Sequence, residues 1–146
     1  MPEKNPIWFN TSLDIEKLRR MGTVYLSALL DMQWEGITAD TISLSMPVDD
    51  RTRQPYGLLH GGASCALAET VGSVASFLVI DHEKFICVGQ EISASHLKGV
   101  TGGRVVATAS PLHLGKTSHV WDIRIKDEND RLICSSRLTV AIRPKP

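Results

Sequence analysis

Gln54-Pro55-Tyr56-Gly57-Leu58-Leu59-His60-Gly61-Gly62-Ala63-Ser64-Cys65-Ala66-Leu67-Ala68-Glu69-Thr70-Val71-Gly72-Ser73-Val74-Ala75-Ser76-Phe77-Leu78 is the stretch from which the fold is read. Leu67, Val71, Val74 and Leu78 recur at i, i+4, i+7 and i+11, which predicts a helix of four or more turns over 62–78 with one apolar stripe. Ala, Ser and Gly fill most other positions, so neighbouring elements can approach on several sides. The run from Gly57 to Ile80 is long enough to cross a bilayer, yet it carries His60, Glu69 and several Ser and Gly residues. A buried central helix is the reading, with no membrane partner.

On either side of the helix the period changes. Thr41 to Met46 alternates, with Ile42, Leu44 and Met46 on one face, and Pro47 ends this strand. Further upstream Asp14 to Arg20 reads as a short helix with Ser12 as N-cap and Ile15 and Leu18 on one face. Downstream, Ile86, Val88, Gln90, Ile92, Ala94 and His96 share a face, and Val105, Ala107 and Ala109 another. Trp121, Ile123 and Ile125 oppose Asp122, Arg124 and Lys126. Leu132, Cys134, Leu138, Val140 and Ile142 follow the polar turn 127–130. These are half-buried strands joined by short connections, an antiparallel meander. The expected fold class is α+β, an antiparallel sheet curled around one long helix. A single domain over 1–146 is expected, with residues 1–22 as an N-terminal extension bearing the short helix.

Lys+Arg and Asp+Glu both number 16 in 146 residues. Zero net charge without a basic run lacks the electrostatic footprint of a nucleic-acid binder. Cys65, Cys87 and Cys134 contain no C-x-x-C pair and read as small core residues in a reducing compartment. Met1-Pro2-Glu3-Lys4-Asn5-Pro6 lacks the order of a secretory signal, which predicts a cytoplasmic protein. No metal-ligand spacing or phosphate loop appears, so no metal and no cofactor are expected.

Glu69 carries the most information. It lies in the most apolar helix with no Lys or Arg three or four residues away, beside Cys65, Ala66, Gly72 and Ser73. A buried carboxylate without a partner is costly. It is either structural, bonded to backbone or to a neighbouring subunit, or it faces a ligand, and the ring of small residues favours the ligand. At the head of the same helix, Gly61-Gly62 let another group approach the backbone, and the first helical amides have no internal acceptor. Those amides can hold a carbonyl oxygen as it becomes an oxyanion, or the glycines only make the turn. Eight residues at ~1.5 Å each separate Gly61 from Glu69 by roughly 12 Å. One carbonyl cannot touch both, so a shared site needs a second copy of the chain.

The segments Met46-Pro47-Val48-Asp49, Gln54 to Gly62 and Ala68 to Ser73 resemble the hotdog-fold acyl-CoA thioesterases of the phenylacetate-degradation type. Within these they are most similar to the 1,4-dihydroxy-2-naphthoyl-CoA hydrolase and enterobactin-proofreading thioesterase group. The resemblance covers about 23–142. It implies Glu69 as nucleophile or general base and Gly61 as the backbone oxyanion donor, with Gln54 and His60 in support. It implies Ser73 at the acyl pocket, and substrate contacts at Gly89, at His96, Leu97, Lys98 and Gly99, and at His113, Leu114, Gly115, Lys116, Thr117 and Ser118. Lys98, Arg104 and Lys116 would then face the CoA phosphates. It further implies a homodimer or dimer of dimers with the carboxylate and the amide from different subunits, acting on an aromatic or medium acyl-CoA. Where relatives usually read His-His-Arg-Pro, this chain has His96-Leu97-Lys98-Gly99, which frees the backbone and replaces a planar fork by a point charge.

Three other chemistries bear on the same residues. Gly62-Ala63-Ser64-Cys65-Ala66 nearly matches the G-x-S-x-G nucleophile elbow, but no buried strand precedes it. Cys65 as nucleophile is disfavoured by Glu69 one turn away, which raises a thiol's pKa. A hydratase or dehydratase using His60 and Glu69, and a non-catalytic acyl-CoA-binding domain, are the alternative functions.

Overall fold

A computed structural model describes residues 2–146. The elements run α1 (Ile15–Met21), α2 (Leu26–Leu29), β1 (Gln33–Ile37), β2 (Ile42–Pro47), α3 (Gly61–Val79), β3 (Phe85–His96), β4 (Arg104–Leu114), β5 (Ser118–Lys126) and β6 (Leu132–Pro144). The six strands form one antiparallel sheet in the order β1-β2-β4-β5-β6-β3, and α3 packs against its inner face.

The periodic helix stands where its stripe placed it. Leu67, Val71 and Ala75 are fully buried against Leu44, Ala107, Ile123 and Leu138 of the sheet's core. Its small residues set the spacing: a methyl on Gly72 would lie 2.6 Å from Leu138 Cδ2 and 3.0 Å from Ile123 Cδ1. The helix therefore rests closer to the sheet than any larger side chain permits. α3 is long and apolar enough to cross a membrane by length and composition alone. Here its apolar stripe is buried by the chain's own strands.

Three expectations are corrected. The N-cap of α1 is Asp14, whose carboxylate accepts from Lys17 N at 2.8 Å, while Ser12 turns back onto Asn10 Oδ1. A cap must immediately precede the first helical residue to reach the third helical amide, and Asp14 does. The meander is confined to β4-β5-β6, because β3 pairs with β6 at the far edge. The face shared by β3 is broken at Gln90, where the register shifts between Gly89 and Glu91. One extra residue reverses the alternation, so Phe85 and Cys87 turn toward the core before the bulge and Ile92 and Ala94 after it. Ile86 and Val88, expected inward, are exposed.

Two elements carry no periodic signal, α2 and the short strand β1. β1 is held by Trp34, which is buried and donates its indole N–H to Gly22 O at 3.1 Å. Part of the N-terminal extension packs into the core. Trp8 and Leu18 are buried, Phe9 N bonds Leu78 O at 2.8 Å, and Trp8 Nε1 bonds Thr38 O at 2.7 Å.

Candidate active site

The loop into α3 is rigid. Gly57 takes a φ of +80° that only glycine adopts without strain, closing a turn in which Gln54 N bonds Leu58 O and Gly57 N bonds Gln54 O, both at 2.8 Å. The Gln54 carboxamide oxygen accepts from Tyr56 N, leaving its NH2 as a donor. His60 N bonds Thr52 O at 2.8 Å, and the His60 ring is the N-cap of α3, with Nδ1 accepting from Gly62 N at 2.8 Å. An accepting Nδ1 places the proton of the neutral ring on Nε2, so His60 also presents a donor. Ala63 and Ser64 N–H both reach His60 O, at 3.0 and 3.1 Å. Among the described residues, Gly61 N–H alone in this first turn has no acceptor.

Glu69 is half-buried, a correction to the fully buried carboxylate expected. Its side chain makes no hydrogen bond or ion pair with the described residues. It lies over Gly89 of β3, whose missing Cβ makes the space for the carboxylate. Gly89, expected at substrate, thus meets Glu69 within the chain. Ser73, one turn on, is half-buried, and its carbonyl faces Cys87 Sγ at 3.7 Å. Burial and then the Glu69 charge push the Cys65 thiol up, and burial with Cys65 nearby pushes Cys134 to about 11. Neither thiol is a ready nucleophile at neutral pH.

The two segments expected to contact substrate lie apart. His96 closes β3, its ring against Gly61, while Gly99 sits under Leu58. Leu97 N and Lys98 N are tied to Ile133 O at 2.7 and 3.4 Å. Ser118 begins β5 at the other end, paired with Ala141, whereas His96 pairs with Cys134. Seven residues of β6 separate those registers, roughly 23 Å at ~3.3 Å per residue. At that far end Leu114, Gly115, Lys116 and Thr117 wall a cavity of about 600 Å³ with Phe85 and Ile142, and the His113 ring stacks over Gly115. Lys98 and Lys116 have no carboxylate partner among the described residues.

Arg104, expected to face phosphate, is committed elsewhere. Its guanidinium bonds Asp31 Oδ2 at 3.0 Å, Asp31 O at 2.7 Å and Ser45 Oγ at 3.0 Å, pinning the segment before β1 to the sheet. Gln33 and Arg104 together hold the Asp31 carboxyl below its ordinary range.

His119 falls on the inward face of β5. Two residues before Trp121 on the same inward parity, it is buried, with Nδ1 3.0 Å from Ser76 Oγ. Trp121 Nε1 donates to the same hydroxyl at 2.8 Å, and the imidazole tautomer sets which way the Ser76–His119 bond runs. Burial, then His113, pushes the His119 pKa down, against the Gly115 backbone bond. Ser76 is wholly buried, whereas His119 also lines the cavity beside Leu114, Gly115 and Lys116.

The family model described as the thioesterase superfamily matches residues 56–134. Over 136 residues the chain is 49% identical to the 1,4-dihydroxy-2-naphthoyl-CoA hydrolase of Escherichia coli K12, covering 93% of this chain and 98% of that one. It is 44% identical to the proofreading thioesterase EntH of Cronobacter turicensis over 93% of this chain and 98% of that one. The crystal structure of a mutant of thioesterase PA1618 from Pseudomonas aeruginosa superposes with a TM-score of 0.90 at 44% identity, covering 95% of this chain and 99% of that one. The chain belongs to the thioesterase superfamily, with the hotdog architecture of one long helix wrapped by an antiparallel sheet. Its chemistry is thioester hydrolysis.

Proposed function

We propose that the chain hydrolyses an acyl-CoA, with an aromatic or medium acyl group, at sites shared between two copies. One observation carries this reading: among the described residues, a single α3 holds a carboxylate without a partner at Glu69 and an amide without an acceptor at Gly61, roughly 12 Å apart at ~1.5 Å per residue. The two groups suit one thioester only if they come from different chains. The outer edge of β3, twelve residues long, is unpaired in this chain, and such an edge is a template for a further strand. Two-fold antiparallel pairing there brings the His96 end of one β3 beside the Phe85 end of the other. The Lys98 segment of one copy then lies near the Lys116 hairpin of its partner, which suits the phosphates of one CoA. The naphthoyl-CoA relative supports an aromatic acyl group.

In this reading Gly61 N–H of one chain receives the thioester oxygen as it gains charge, and Gln54 and His60 donors hold the group in place. Glu69 of the other chain either attacks the carbonyl carbon, giving an anhydride that water then hydrolyses to the free acid, or takes a proton from a water that attacks directly. The C–S bond breaks and CoA leaves as thiol. Removing a general base typically costs ~10²–10⁴ in rate. Glu69→Gln is expected to lose thiol release at that scale, assayed over aromatic, hydroxylated and aliphatic acyl-CoAs with folding checked by circular dichroism. Wild-type turnover by the folded variant would remove Glu69 from the mechanism. Sharing is tested in verified hybrids of a Glu69→Ala chain with a Gln54→Ala chain, where partial recovery is expected and its absence refutes shared sites.

A further inference from the structure

We propose that His96 is a positioning residue that fixes the first turn of α3 and thereby aims the Gly61 N–H. This rests on the reading of that amide as the oxyanion donor. The contact is close: a methyl on Gly61 would lie 2.7 Å from His96 Nε2 and 3.1 Å from both Cδ2 and Cε1. The imidazole edge thus occupies the space that a side chain at 61 would need. Only glycine admits it.

The rest of the segment after β3 holds the same loop. Leu59 N bonds Val100 O at 2.8 Å, the Leu58 side chain would stand 3.0 Å from a methyl on Gly99, and Val100 is buried. Leu97 N and Lys98 N anchor the segment to Ile133 O of β6. Residues 58–61 are therefore gripped from one side by the 96–100 segment and from the other by Thr52 O on His60 N. Two consecutive glycines would otherwise leave the start of α3 loose, because glycine has the most backbone freedom to lose. An oxyanion donor is useful only if it is held where the charge develops. The resemblance implied His96 as a substrate contact, whereas this geometry gives its ring a task on the Gly61 backbone.

The Gly61→Ala substitution keeps the N–H but drives a methyl into the His96 ring. Either the ring swings off the turn or the turn moves, and the contact is lost both ways. His96→Ala is expected to lower kcat about tenfold with KM within about twofold, and Gly61→Ala to lower it about 10²-fold, the scale of a 1 Å misplacement. The double variant is expected to be no slower than Gly61→Ala alone, because its methyl has no ring to meet. Losses that multiply in the double variant would overturn the proposal. So would an unchanged kcat in His96→Ala, with KM raised if the ring is a ligand contact. A wild-type chain that releases thiol from no acyl-CoA would fail the thioesterase reading alone. The contact is then read from the thermal midpoints of the same four chains, where additive shifts overturn it and non-additive shifts sustain it.

Discussion

Gly89→Ala separates a residue that makes room for a carboxylate from one that touches substrate. The added methyl would lie 3.2 Å from Glu69 Cδ and closer still to Oε1, inside the roughly 3.3 Å at which carbon and oxygen normally meet. Relieving that overlap moves the carboxylate by on the order of 1 Å, a displacement that can cost about 10²-fold in rate, or about 2.7 kcal/mol of barrier. The fold bears no such cost. Gly89 has an ordinary φ at a bulge, Glu69 is only half-buried, and alanine gives up less backbone entropy on folding than glycine. The expected signature is thus a kcat lowered about 10²-fold, a KM close to wild type and a thermal midpoint unchanged or raised. Steady-state thiol release on the best acyl-CoA, with a melting curve on the same sample, measures all three. A folded Gly89→Ala chain with kcat within about threefold of wild type would refute the geometric reasoning. A raised KM at constant kcat would make Gly89 a substrate contact instead.

Two further outcomes concern the buried network beneath α3. Ser76→Ala leaves the Trp121 N–H and His119 Nδ1 without their partner, so chemical denaturation should show a loss of about 1–3 kcal/mol for each orphaned group. Burial, then His113, depresses the His119 pKa below its ordinary 6.5, so the unfolded chain binds the proton more readily than the folded one. Its contribution to stability is complete above pH 6.5 and lost as pH falls toward the depressed folded value. His119→Gln should flatten that part of the stability profile, and an unchanged slope would place the titration elsewhere.

The sequence by itself determined the central helix, the inward faces of β2, β4, β5 and β6, and the separation of Glu69 from Gly61 along α3. Each of these is a local property. A 3.6-residue stripe or a two-residue alternation states which side of an element is apolar, and helical rise converts eight residues into a separation no single carbonyl can bridge. Tertiary structure decided the rest. Alternation says which face a strand buries but not which strand lies beside it, so β3 could be placed at the far edge next to β6 only by the fold. One extra residue at Gln90 is invisible to a period read from either end, yet it exchanges Ile86 and Val88 for Phe85 and Cys87 at the core. Arg104 and His96 were both assigned to ligand by the family resemblance. Arg104 spans 73 residues to Asp31, and His96 closes on a glycine 35 residues earlier. Contacts at such separations follow from how the sheet and helix are stacked, and no local pattern of residues encodes them.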